Sequence, residues 1–311
     1  MKRSYLVGLF LMISLFAFLM TGCGIWTYIY GDSFHASRSK PRKASSGGKS
    51  TLRLKVLTAP LIDMAGLEDN KAEGLGETLE TLLKKDGSLL IVPLTGYESP
   101  RTSAASSDLG VFVDPALIKE AEEMGMNILI TQVLEPLNYT AKKRGIWPFT
   151  KLKGFYDVSM VVNAVDIVKG TVVLSLRETE KIKIGPVPEG EEAPPSLNEE
   201  ILKEVLYDIQ KRQSSELLDF LDNYGWRGTI SMSEDRIRIK GGEDIGVTTG
   251  SIFEVFGKGE PIKNINGKEY YISGTKAGEI RVTDVMEDQS FAVPVGNNVF
   301  EDGQIISLKS E

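Results

Sequence analysis

The chain's only cysteine, Cys23, limits how this fold can be stabilised, because a single thiol cannot form an intramolecular disulfide. The one histidine, His35, precedes the first alternating hydrophobic segment. Metal sites with several His or Cys ligands are therefore excluded from the folded part, as are Ser-His and Cys-His catalytic pairs. We expect hydrophobic cores to stabilise the domains, with no metal and no cofactor.

The overall charge narrows the classes of partner. The 311 residues carry a formal net charge of −7, and the sequence pI is about 5.1. A chain this acidic does not bind nucleic acid through its bulk charge, and no small-molecule motif is evident. Its length suffices for one large or two modest domains.

The first residues have the pattern of a bacterial export signal. Lys2 and Arg3 precede an uncharged run from Tyr5 to Met20, and small residues follow before Cys23. The tail Met20-Thr21-Gly22-Cys23 resembles the bacterial lipobox, in which an aliphatic residue and two small residues precede the cysteine. The resemblance implies that residues 1–22 are a lipoprotein signal peptide.

The same resemblance implies that Cys23 carries a diacylglyceryl group on sulfur and a third acyl chain, such as palmitate, on nitrogen. Three chains anchor a protein stably, whereas one binds only marginally. Gly24 stands where an Asp would imply retention at the inner membrane, so we expect the outer membrane. An uncleaved spanning anchor and an ordinary secretory signal remain alternatives.

Residues 23–50 form the predicted lipid anchor and a flexible tether. The segment is rich in Ser, Gly and basic residues, a composition typical of a spacer. Alternatively, the aromatic residues of Trp26–Tyr30 and the basic residues beyond them contact lipid headgroups.

Residues 51–185 are predicted to form an α/β domain. The hydrophobic periodicity predicts, in order, a strand before Pro60, a helix over 72–85, a strand over 89–92, a helix from Asp114-Pro115 to about Met124, a strand over 128–133 and a hairpin of strands 155–168 and 171–184. This order indicates helices packed against a mixed sheet. In the last strand one face is predicted to be apolar, with Val172, Leu174, Leu176, Ile182 and Ile184.

Two further segments complete the predicted α+β chain. Residues 186–224 comprise a Pro-rich acidic linker and an amphipathic helix over Glu199–Asn223. Residues 225–311 contain many glycines, short alternating segments and the turn signal Asn266-Gly267. We expect them to close into a small SH3-like or OB-like β-barrel.

Parts of both domains resemble known envelope proteins. The segments Gly225–Ile230 and Gly246–Phe256 resemble the C-terminal barrel of the flagellar H-ring assembly protein T. The region 52–184, with the segment Asp166–Val173, is similar to a periplasmic α/β domain. That domain is shared by the flagellar protein, the curli secretion channel family and a lipoprotein activator of peptidoglycan synthases. The resemblance implies an assembly or scaffolding role and identifies no active-site residue.

Three functions remain in competition. The first is a non-enzymatic periplasmic adaptor that binds the membrane through Cys23 and also binds another envelope protein or itself. The second is a ring-forming, curli-type channel subunit, although Leu134–Thr150, with its basic residues and two prolines, suits a membrane strand poorly. The third is an enzyme acting on cell-wall polymer, for which only a carboxylate pair would be available.

Two segments are candidate binding sites. The apolar cluster Ile146, Trp147 and Phe149 is either a plug on the sheet or an exposed docking patch for a partner. The loop Thr95–Asp108 is a second candidate, because loops on rigid scaffolds often carry recognition.

Overall fold

A long β-hairpin forms the centre of the first half of the fold. A computed structural model describes residues 52–67, 69–85, 87–94, 115–145, 150–186, 196–233, 236–263 and 269–309. The strands of the first half are β1 (Leu54–Thr58), β2 (Ile62–Asp63), β3 (Leu89–Pro93), β4 (Ile128–Leu134), β5 (Asn138–Arg144), β6 (Lys151–Asp166) and β7 (Thr171–Pro186). The helices are α1 (Asp69–Lys84), α2 (Pro115–Glu123) and α3 (Glu199–Tyr224).

The seven strands form one mixed sheet. β1 pairs in parallel with β3 on one side and with β4 on the other, and β4 runs antiparallel to β6. β5 and β4 pair with successive halves of the same edge of β6, while β7 pairs along its other edge. The predicted α+β layer with a mixed sheet is therefore confirmed.

The short strand β5 was not predicted. Its sequence, Asn-Tyr-Thr-Ala-Lys-Lys-Arg, lacks the alternation of a half-buried strand, and most of its residues are exposed. Pairing with β6, from Asn138 opposite Asp157 to Arg144 opposite Lys151, makes it a strand. Tertiary pairing thus decides the conformation of a segment whose local pattern is weak.

The two faces of the sheet are covered by different helices. Helices α1 and α3 pack on one face, where their leucines meet Val56, Ile130 and Val162. Helix α2 packs on the opposite face, here called the α2 face, through Leu117 and Ala121. The α2 contacts lie near the β6–β7 turn, against Leu129, Val165 and Ile167.

One predicted face assignment is wrong. Val172 was expected to lie beside Leu174 and Leu176, but it packs with the α2 cluster, whereas the two leucines pack on the other face. The register shifts between Ala164 and Val165, so Ala164 pairs with Leu174 and Val165 with Val172. This bulge breaks the simple alternation of the strand.

Helix α3 is fixed at its start and along its buried face by polar side chains. Asn198 caps it, with Oδ1 accepting hydrogen bonds from the amides of Glu200 (2.8 Å) and Ile201 (3.3 Å). The buried Gln210 donates to the Leu75 carbonyl of α1 (2.7 Å) and to Oε1 of Gln132 (3.1 Å). The predicted amphipathic helix is present, and it packs back on the sheet.

Residues 227–308 close into a six-stranded barrel. Its strands are β8 (Arg227–Ser233), β9 (Arg236–Ile239), β10 (Ile252–Lys263), β11 (Glu269–Val285), β12 (Ser290–Pro294) and β13 (Ile305–Leu308). The predicted small barrel is thus confirmed. Two predicted strands, 270–273 and 278–286, are one long strand with irregular pairing to β10.

The barrel and the sheet share one hydrophobic core. Trp226, directly after α3, packs on Phe253 of the barrel with ring centroids 5.5 Å apart. A Cβ on Gly228 would lie 2.5 Å from Cη2 of Trp226, so this close approach needs glycine. The same cluster continues through Leu217 and Leu221 to the sheet.

Asn127 links three elements at this junction. Its Oδ1 accepts a hydrogen bond from the Lys55 amide (2.8 Å), and its Nδ2 donates to the Arg227 carbonyl of β8 (2.5 Å). Its own backbone amide donates to the Lys55 carbonyl (2.8 Å). The side chain is almost completely buried, so it joins β1, the start of β4 and the barrel away from water.

Charged groups of β1 and the barrel complete the junction. Lys55 Nζ lies 2.5 Å from Oδ2 of Asp244, and both side chains are largely buried. The Arg53 amide donates to the Ile245 carbonyl (2.9 Å). Lys240 Nζ donates to the Glu122 carbonyl (2.9 Å) at the end of α2, where the helix dipole favours a cation.

We predict that Asn127→Ala lowers the free energy of unfolding by about 2–4 kcal/mol, because it leaves the Lys55 amide and the Arg227 carbonyl buried without their partner. Urea denaturation measures the change. Asn138→Ala, at an exposed position of β5, is the matched control and should cost no more than about 0.5 kcal/mol. Equal effects of the two substitutions would contradict the role assigned to Asn127.

Candidate functional site

The residues predicted as sites from the sequence lie outside the described part of the structure. This is true of the lipidation site Cys23, of the cluster Ile146, Trp147 and Phe149, and of the loop Thr95–Asp108. These predictions stay predictions. Among the described residues, the candidate site is the part of the α2 face that helix α2 does not cover, where polar and basic side chains share one surface.

Hydrogen-bonded polar side chains run across the middle of the α2 face. Ser159 and Thr179 hydroxyls lie 2.8 Å apart on neighbouring strands. The buried Asn163 accepts a hydrogen bond from the Ser175 hydroxyl (2.7 Å), and its Nδ2 donates to Oγ1 of Thr131 (3.4 Å). This part of the sheet therefore carries satisfied polar groups rather than an apolar surface.

Two ion pairs lie on the same face, one between these hydrogen-bonded groups and one at their edge. Arg177 donates from Nη2 and Nε to the two oxygens of Glu135, at 2.6 Å and 2.9 Å. The hydrogen bond from Arg177 holds the pKa of Glu135 below its ordinary value, and the same bond raises the pKa of Arg177. Lys181 Nζ lies 3.1 Å from Oδ1 of Asp157.

The end of the α2 face that lies farthest from α2 is rich in cations. Cross-strand pairing places Lys142 opposite Lys153 and Arg144 opposite Lys151. On the other side of β6, Lys183 pairs with Phe155. The guanidinium of Arg144 lies 5.3 Å from the centroid of the Phe155 ring. We call Lys142, Arg144, Lys151, Lys153 and Lys183 the basic patch.

The basic residues of this patch are visible in the sequence, but the alternation of residues along single strands does not predict that they share one face. The basic residues occur in three separate segments, before and after the β5–β6 connection and in β7. Side chains that pair across antiparallel strands share a face. Only the register of β5, β6 and β7 shows that the five cations project from one side of the sheet.

A second polar cluster lies at the other end of the sheet. Asp166 accepts a hydrogen bond from the Tyr224 hydroxyl at the end of α3 and another from the Lys169 amide (2.9 Å). The cations of Lys169 and Arg227 lie 5.7 Å and 5.6 Å from the Tyr224 ring centroid. Burial, followed by the bond to Asp166, raises the pKa of Tyr224. Burial lowers the pKa of Lys169.

Two searches of the described residues were negative. Within them, no group of three or more His, Cys, Asp and Glu side chains is placed to hold a metal ion. No helix in the same ranges is both long and apolar enough to cross a membrane.

Comparisons with known proteins found solved structures that resemble part of this chain, but no match in sequence. No family model matches the chain, and no curated protein matches it. The solved structures that resemble it include the PelC dodecamer from Paraburkholderia phytofirmans, with 14% identity and a TM-score of 0.32. That match covers 55% of this chain and 93% of the PelC chain.

Two further structures are lipoproteins or their domains. Lipoprotein GNA1162 from Neisseria meningitidis is 12% identical, with a TM-score of 0.28, and the match covers 52% of this chain and 99% of that one. The LpoB C-terminal domain from Salmonella enterica is 16% identical, with a TM-score of 0.24 and coverage of 44% and 87%. Likenesses this partial do not assign a function to this chain.

We predict that Tyr224 makes stability sensitive to alkaline pH. Because its pKa is raised in the folded protein, its contribution is complete below the unfolded pKa of about 10 and is lost progressively as the pH rises past that value. Tyr224→Phe should therefore reduce the fall in unfolding free energy between about pH 9 and about pH 11. Urea denaturation at several pH values in this range measures the unfolding free energy of parent and variant.

Tyr207→Phe is the matched control, because Tyr207 lies exposed on the same helix. It should retain the parent's alkaline pH dependence. If Tyr224→Phe also retained it, the half-buried hydrogen bond to Asp166 would have no part in this pH dependence.

Proposed function

We propose that the chain is a non-enzymatic lipoprotein of the bacterial cell envelope that acts as an assembly or scaffolding adaptor. The observation that carries the proposal is the junction of the two folded modules, where Asn127 and the Lys55–Asp244 pair are buried between sheet and barrel. An adaptor needs surfaces held in a fixed relation to each other. A shared core with buried polar links supplies that relation.

The sequence around Cys23 supports the location. The lipobox-like residues Met20-Thr21-Gly22-Cys23 favour acylation of Cys23, and Gly24 favours the outer membrane, with the domains facing the periplasm. Residues 24–50 would then tether the folded body to its anchor. The resemblance to the flagellar H-ring protein and to the curli and peptidoglycan-synthase activator domains favours an envelope machine as the partner.

The composition of the folded part supports a non-enzymatic role. It lacks both cysteine and histidine, the residues most often used as nucleophiles and general bases near neutral pH. The pKa shifts of the described carboxylates and lysines arise from ion pairs and burial at structural contacts. We therefore infer binding rather than catalysis.

A test of this proposal begins with the N-terminus. The full-length chain and its Cys23→Ala variant are expressed in a Gram-negative host, and the mature N-terminus is identified by mass spectrometry. We expect a triacylated Cys23 in the parent and loss of membrane anchoring through lipid in the variant. An uncleaved, unacylated chain would contradict the lipoprotein proposal.

The partner is identified by photo-crosslinking in intact cells. A photoreactive residue replaces Thr179 on the α2 face or Met286 on the barrel, both at exposed positions, and Lys203 on α3 is the control position. We expect an envelope protein to be captured from the α2 face or the barrel but not from α3. Capture of the chain itself as the main product would instead favour the ring-forming alternative.

A further inference from the structure

The charge of the basic patch is opposite to that of the chain. The chain has a net charge of −7, yet five cations project from one end of the α2 face. Four of them, Lys142, Arg144, Lys151 and Lys183, are exposed, and Lys153 is half-exposed. Such a concentration of one sign creates a local field that attracts an anionic partner despite the net charge.

None of the five cations of the patch forms an ion pair with another described residue. The nearest acidic side chain along β6, Asp157, already pairs with Lys181. On the opposite face, by contrast, Arg212 of α3 pairs with Glu178 and Glu180 of β7. In the described part of the chain the patch therefore keeps a positive charge that can attract an outside anion.

The arrangement of the patch favours a surface as its partner. Strands lie about 4.8 Å apart and alternate residues about 6.7 Å apart along a strand, so the cations form a nearly flat array. A planar anionic membrane can contact all of them at once, and each basic residue near such a surface contributes about 1 kcal/mol.

The neighbouring sequence also favours a membrane over an acidic protein. The connection between β5 and β6 contains Ile146, Trp147 and Phe149, although these residues lie outside the described structure. Tryptophan is enriched where proteins meet the membrane interface, and basic residues flank it there.

From this geometry we propose that the basic patch docks the α/β domain on a membrane that contains anionic phospholipid. The proposal rests on the envelope location proposed above and adds a second attachment point, separate from Cys23. The described side chains of β5, β6 and β7 form the docking surface, and lipid phosphates are the groups that they bind.

The test measures how close the patch comes to a vesicle surface. The full chain, with Cys23→Ser so that an introduced thiol is unique, is reconstituted in vesicles, where the apolar run Tyr5–Met20 retains it. A fluorescent donor on Thr150→Cys reports transfer to an acceptor lipid. We expect high transfer with phosphatidylglycerol, low transfer with phosphatidylcholine alone, and loss of the difference at high salt.

Two variants with equal charge loss separate the patch from bulk charge. In Lys142→Gln/Arg144→Gln/Lys151→Gln/Lys153→Gln, the ratio of docked to free protein should fall about 600-fold, because each of the four cations contributes about a fivefold factor. The control, Lys84→Gln/Lys203→Gln/Lys211→Gln/Lys309→Gln, removes exposed lysines from α1, α3 and the end of the barrel. It should dock as the parent does.

Several results would overturn the proposal. They are equal transfer with both lipids, docking by the patch variant at the parent's level, and equal losses in the two variants. Binding of polyglutamate by a parent that ignores phosphatidylglycerol would identify an acidic protein as the partner instead. Equal melting temperatures of parent and variants exclude unfolding as a cause.

The two proposals fail separately. Because the docking experiment uses Cys23→Ser, absence of acylation in cells leaves its outcome unchanged. Conversely, a triacylated Cys23 together with no response to phosphatidylglycerol would retain the lipoprotein proposal and reject the docking surface.

Discussion

The buried amide of Asn127 is the interaction on which the arrangement of the two modules depends. Its side chain forms hydrogen bonds with two backbone groups: it accepts one from the Lys55 amide of β1 and donates one to the Arg227 carbonyl of β8. Without it, the first strand of the sheet and the first strand of the barrel would each retain a polar group that water does not reach. The Lys55–Asp244 pair lies beside it, and the cost of desolvating both charges offsets much of their attraction, so the pair adds little net stability. The shared apolar core therefore stabilises the junction, while the buried polar groups form their hydrogen bonds in only one orientation of barrel and sheet.

Hydrogen bonds from two buried glutamines also determine how α3 lies on the sheet. Gln210 reaches α1 and β4, and Gln213 donates to the carbonyls of Met160 (2.9 Å) and Leu176 (3.2 Å) on β6 and β7. An apolar stripe alone would allow the helix to slide, because hydrophobic contacts are not directional. The glutamines specify one register, although no described residue donates a hydrogen bond to the Oε1 atom of either one. Since α3 leads directly into Trp226 and the barrel, its register on the sheet also sets where the barrel begins.

The sequence pattern was sufficient wherever local periodicity and burial agree. It predicted α1, α2, the β6–β7 hairpin, α3 and a closed barrel, because each buries an apolar face of its own period. It did not predict β5, whose exposed residues lack that period, or the bulge that moves Val172 to the α2 face. Nor could it indicate that Gln210 and Gln213 are buried, since their partners lie at least 37 residues away. The basic patch likewise exists only through cross-strand register, a property of pairs of strands rather than of any one segment.

The position of the patch in the sheet bears on how strongly it needs to bind. β1 begins beside the barrel, whereas Lys151 lies at the opposite end of β6, about 50 Å away at about 3.3 Å per residue. Residues 24–51, at no more than about 3.4 Å each, can span about 95 Å, so an anchor at Cys23 does not prevent the patch from reaching the same membrane. If Cys23 is acylated as proposed, docking of the patch on the same membrane is intramolecular, with an effective concentration in the millimolar range. A patch of five cations therefore need bind only weakly to orient the body. An interaction of that strength would leave the barrel and the rest of the α2 face free to engage a protein partner.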